Sequence, residues 1–102
     1  MSLDNYKFQV ACLILKKTFV LLFDQGLKDY LDYSIWQRLS PNLVLNAEIF
    51  EKVKLEAKEI YNQPHRKPMD FDLFWKAVVP NLSAISTNSE IAVIKKRLQN
   101  FL

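Results

Sequence analysis

The sequence predicts an all-α fold, a compact domain of about five helices at 4–25, 27–39, 46–62, 70–79 and 88–101 in an orthogonal or bundle-like arrangement. Three observations carry that expectation. Gly26 is the one glycine in 102 residues, too few for a fold that reverses at many tight hairpins. Hydrophobic residues are 50% of the chain, enough for a core in one domain of this length and far from the composition of disordered segments. The apolar positions recur at three- and four-residue intervals, the period of a helix face.

The first helix opens near Asp4, a good N-cap residue, and stops at Gly26, the natural residue past a helix C-terminus. Between them lies the richest apolar stretch of the chain. From Phe8 to Phe23 only Gln9, Lys16, Lys17 and Thr18 are polar. At about 100° per residue, Phe8, Cys12, Leu15, Phe19, Leu22 and Phe23 make one stripe and are assigned to the core. Val10, Leu13, Ile14, Val20 and Leu21 lie on the far side, crossed by Lys17. Phe8–Leu15 and Thr18–Phe23 also have β composition, but Lys16-Lys17 is a poor hairpin tip, lacking Asn or Gly for positive φ.

The second helix follows from the spacing of Leu27, Leu31, Ile35 and Leu39, and ends at Ser40-Pro41 because a residue before proline is pushed out of the helical region. Asn42–Leu45 is a short apolar linker or an early turn of the next helix. The third helix has Phe50, Val53, Ala57, Ile60 and Tyr61 inside, with Glu48 facing Lys52 and Lys54 facing Lys58 on a solvated face. Gln63-Pro64-His65-Arg66-Lys67-Pro68 reads as a stiff, exposed basic connector. Asp70 caps the fourth helix, which clusters Phe71, Phe74, Trp75 and Val78 and is closed or kinked by Pro80. Thr87-Asn88-Ser89-Glu90 is a capping box opening the last helix, whose apolar stripe is Ile91, Ile94, Leu98, Phe101 and Leu102.

Function is less legible. One cysteine and one histidine exclude the ligand sets of zinc sites, and the pairs Asp29/Asp32 and Asp70/Asp72 lack the spacing of a calcium loop, so helix capping is the simpler reading. No cofactor is implied: without glycine-rich loops there is no phosphate cradle. Cys12 and His65 can be paired on paper, but an apolar stripe denies the thiol the electropositive setting a nucleophile needs. No enzyme activity is expected. The lone cysteine and the interrupted apolar run point to a reduced, cytoplasmic setting with neither membrane span nor signal peptide.

The net charge is +3, from 14 basic and 11 acidic residues, close to balance. A nucleic-acid alternative uses the last helix, with Lys95, Lys96 and Arg97 along a phosphate backbone. The same triplet is explained by its place near a helix C-terminus. The preferred reading is a protein–protein interaction domain, an adaptor, regulator or assembly factor acting by helix-face docking, with a homodimer as the expected assembly. A helix apolar on two sides is either sandwiched in its own domain or shared with another chain. The second option makes Val10, Leu13, Ile14, Val20 and Leu21 interface residues, with Tyr33 and Trp36 as aromatic anchors.

Overall fold

A computed structural model describes residues 3–40, 43–44 and 46–101; for Leu3, Asp4 and Phe101 it describes the backbone alone. Every regular element among these residues is helical: α1 (Leu3–Asp24), α2 (Tyr33–Leu39), α3 (Ala47–Tyr61), α4 (Phe71–Leu82) and α5 (Asn88–Phe101), with a single 3-10 turn at Lys28–Tyr30. Twenty-two residues of helix span about 33 Å, so α1 is nearly as long as the 36 Å longest dimension. It packs mainly on α3 and α4, while α5 leans on α4.

Local chemistry sets the ends. Gly26 adopts φ 70°, and its N–H bonds the Phe23 carbonyl while the Leu27 N–H reaches the Leu22 carbonyl. This paired pattern is a Schellman cap, satisfying carbonyls that the helix end would otherwise orphan. Asp32, Asn46 and Asp70 are the N-caps of α2, α3 and α4, accepting from the N–H groups of Ser34, Ile49 and Leu73 at 2.7, 2.8 and 2.8 Å. Ahead of α5 the expected capping box is present: the Thr87 N–H donates to Glu90 Oε1 at 3.0 Å, and the Glu90 N–H donates to Thr87 Oγ1 at 3.3 Å.

Several boundaries differ from expectation. Helix α1 starts at Leu3, so Asp4 falls in its first turn instead of at the cap. The predicted 27–39 helix is broken: Leu31 and Asp32 separate the 3-10 turn from a seven-residue α2. Two demands cause this. Asp32 is extended to cap α2, and the Trp36 indole N–H donates to the Tyr30 carbonyl, which a continuous helix would have committed to its own ladder. Pro80 does not end α4, which runs on to Leu82. A proline late in a helix forfeits one ladder bond; burial of Leu82 at 1% exposure, and a bond from Asn81 Nδ2 to the Ala77 carbonyl, offset it. The expectations for Pro41, Asn42, Leu45 and Leu102, and for the side chains of Asp4 and Phe101, lie outside the described residues.

The core is built around α1. Phe19 is fully buried and meets Trp36 and Phe50 edge-on, with ring centroids 6.3 and 5.0 Å away, and Tyr33 meets Phe50 at 5.6 Å in the same manner. Such edge-to-face pairs are worth about 0.5–1.5 kcal/mol beyond the area they bury. Thr18, the one polar side chain buried among the described residues of α1, donates to the Ile14 carbonyl at 2.8 Å.

Candidate docking groove

Most of the residues expected to face a partner are covered by the chain itself. Val10, Ile14, Val20 and Leu21 are 6%, 1%, 3% and 1% exposed, and Trp36 is 0% exposed beneath α1. Tyr33 is half-buried against Phe50. These positions are therefore core. With α3 and α4 both lying against it, α1 is the sandwiched kind of two-sided helix. Leu13 is the exception in that set, at 41% exposure. The assignment of Phe8 and Cys12 to the core also needs correction. Residues 5–9 are all exposed, Phe8 at 37%, and Cys12 is half-buried, because the first turns of α1 overhang the elements that pack on it.

Beyond the exposed residues 5–9, one strip of α1 stays open. At about 100° per residue, Tyr6, Gln9, Leu13, Lys16, Lys17 and Val20 share one side of the helix. A groove of about 370 Å³ lies between this end of α1 and α3, with an apolar lining of Phe8, Cys12, Leu13, Ile49 and Val53 and a charged lining of Lys16, Lys52 and Glu56. A second recess, about 200 Å³, shares Leu13 and Lys16 with the first and continues along Lys17 and Val20 to Ile60, Arg66, Lys67 and Met69.

The far end of the strip is closed by the 63–69 connector, which is less solvated than its composition predicts. Arg66 donates to both oxygens of Asp24, at 2.9 Å from Nη1 to Oδ2, and Asp24 also accepts from the Met69 N–H at 2.9 Å. The two side chains are only 16% and 9% exposed. Arg66 further stacks over the Tyr61 ring at 5.1 Å, and Gln25 Nε2 reaches the Met69 carbonyl at 3.5 Å. Burial of the Asp24 carboxyl pushes its pKa up, but the Arg66 guanidinium and the Met69 N–H outweigh that and hold it below the usual carboxylate value. Met69 and the connector thus cover Val20, leaving Leu13 bare about two turns earlier.

The groove's electrostatics are one-sided. Lys16 pairs with Glu56 at 2.7 Å, and this hydrogen bond holds the Glu56 carboxyl below its ordinary pKa. Lys17, Lys52 and Lys67 make no ion pair among the described residues. Burial, aided by the nearby Glu56 charge, pushes the Cys12 thiol up, the reverse of what an activated nucleophile requires.

Two of the three basic residues in α5 have structural contacts. Arg97 Nη1 reaches the Arg38 and Leu39 carbonyls at 3.5 and 3.4 Å, across the C-terminus of α2. Lys95 sits 5.5 Å above the Trp75 ring. Lys96 is exposed. His65 is exposed at φ 62° in the connector. Asp32 and Asp70 act as the caps already described, and among the described residues no three His, Cys, Asp or Glu side chains gather where they could hold a metal ion. No helix among them is long and apolar enough to cross a membrane.

Periodicity located α1 but not its open strip, because both sides of that helix read as apolar. The usable signal was the lysines. Lys16 and Lys17 interrupt the run on the side that stays in water, and Leu13 lies one turn before them. The α3 contributors Ile49 and Lys52 had no signal beyond ordinary amphipathicity, and the Asp24–Arg66 pair spans 42 positions. Comparison with protein-family models, with curated proteins and with solved structures finds no match to this chain.

Proposed function

We propose that this chain is a non-enzymatic protein-interaction domain, an adaptor, regulator or assembly factor, that docks a partner helix along the groove between α1 and α3. The observation that carries the reading is the concentration of exposed large apolar side chains on the overhanging end of α1: Tyr6, Phe8 and Leu13 at 47%, 37% and 41%. Scattered surface hydrophobes need no explanation. Here Phe8 and Leu13 line the groove, an apolar surface of the kind that receives the i, i+3, i+4 and i+7 anchors of a helical ligand.

The argument for a second copy of the chain is weaker than the sequence suggested, since the residues that called for one are covered from within. The nucleic-acid alternative is also less supported, because Arg97 and Lys95 are engaged with α2 and Trp75.

Selection of displayed helical peptides against the chain tests the reading. Binders should compete for one site and lose their affinity on Leu13→Asp, while the variant keeps the parent circular dichroism and cooperative unfolding. Enrichment of no peptide that depends on Leu13 would overturn it. Light scattering on a sizing column reads self-association in parallel, with a dimer split by Leu13→Asp placing the second copy in the same groove.

A further inference from the structure

The charge around the groove specifies what kind of helix it takes. Resting on the docking reading above, we propose that the partner is an acidic amphipathic helix, its apolar side on Leu13 and Ile49 and its carboxylates toward Lys17, Lys52 and Lys67. The two recesses share Leu13 and Lys16, so they form one path along α1. Of the cations along that path, Lys16 is neutralised by Glu56 and Arg66 by Asp24. Lys17 and Lys67 make no ion pair among the described residues, Lys52 has only a longer-range attraction to Glu56, and Glu56, the one acid of the lining, is already bonded to Lys16.

Complementary charge steers encounter and rejects the wrong partner, because like charges brought together at an interface are costly. A second copy seated by a two-fold axis would bring the same three lysines into the interface from both sides, since both copies use the same surface patch. A flat anionic membrane would meet the protruding Tyr6 and Leu13 but leave the concave lining, Ile49 and Val53, unfilled. A helix with an apolar stripe fills it.

Two fluorescein-labelled peptides of about 14 residues, some 21 Å of helix, serve as probes. They carry the same Leu and Ile stripe, with Glu on the outer side of one and Lys on the other. Fluorescence anisotropy on the full chain should favour the acidic peptide by about tenfold, or about 1.4 kcal/mol. The triple variant Lys17→Glu, Lys52→Glu, Lys67→Glu should reverse the preference, and Leu13→Asp should abolish binding of both peptides. All three lysines are at least partly exposed and unpaired, so the charge reversal leaves the core intact, which circular dichroism verifies. Equal binding of the two peptides, with dependence on Leu13 retained, overturns the acidic partner and spares the docking groove. Binding of neither peptide overturns both. Sedimentation with phosphatidylserine vesicles, in the absence of acidic-peptide binding, overturns the proposal in favour of a lipid surface.

Discussion

Leu21→Ala is expected to separate a helix covered within its own chain from one covered by another molecule. Leu21 is 1% exposed. Truncating a buried leucine removes its transfer free energy and leaves a cavity, together about 2–5 kcal/mol; a value of about 3 suits a site walled by well-packed helices. A domain of this size has about 5–15 kcal/mol in total, so the variant remains folded but is clearly weakened. At about 4–8 °C per kcal/mol, its melting temperature should fall by roughly 12–24 °C. Leu13→Ala, at 41% exposure, should cost about 1 kcal/mol or less. The assay is urea unfolding followed by far-UV circular dichroism, at two protein concentrations about tenfold apart. Both curves should superimpose, with the slope unchanged, since m tracks the surface exposed on unfolding. The reasoning is refuted if Leu21→Ala costs no more than Leu13→Ala. It is equally refuted if the parent midpoint rises with concentration and the substitution removes that rise, because Leu21 would then be buried by a second chain.

Further outcomes follow from the same contacts. Arg66→Ala should cost about 2 kcal/mol at neutral pH, as charge-assisted bonds in a mostly buried setting do, measured by chemical denaturation. Asp24 has a folded pKa below its unfolded value, so its contribution is complete above about pH 4–5 and is lost as pH falls through the folded pKa. The gap between parent and Arg66→Ala should therefore close in acid; a gap that widens there would contradict the pairing. Thr87→Ala should destabilise by about 1 kcal/mol through loss of the α5 cap, and an unchanged melting temperature would remove the capping box from the account. With Trp75 replaced by Phe, the remaining Trp36 should emit in the blue and resist acrylamide quenching, because it is 0% exposed. Cys12 should react with a maleimide more slowly than a free thiol at neutral pH, its thiolate being disfavoured by burial.

The starts of α3, α4 and α5 were the most legible part of the sequence. Asn46, Asp70 and Thr87 act within three residues, so the local string contains the whole of their chemistry. The break at Leu31 was hidden because the leucine spacing through Leu27, Leu31, Ile35 and Leu39 favours one helix, and the opposing terms are the extended Asp32 cap and an indole N–H that needs the Tyr30 carbonyl. Arg66 looked solvated for a similar reason. Its composition says connector, and only the return of the chain past Asp24 makes it a clamp. At the candidate site the sequence located Leu13 within an apolar helix but could not tell it from Leu21. Which side of a two-sided helix stays bare depends on where α3, α4 and the connector lie, and that is decided by packing across the whole molecule.

The central placement of α1 has a consequence for biosynthesis. The helix with the most apolar surface precedes every element that covers it, and α4 is not complete until Leu82. At typical elongation rates the interval between the end of α1 and the end of α4 is roughly 3–12 s. During that time the apolar surface of α1 leaves the ribosome with only part of its shell available. Nascent α1 is the segment of this chain on which holding chaperones would act, and its rescue depends on how fast α3 and α4 emerge.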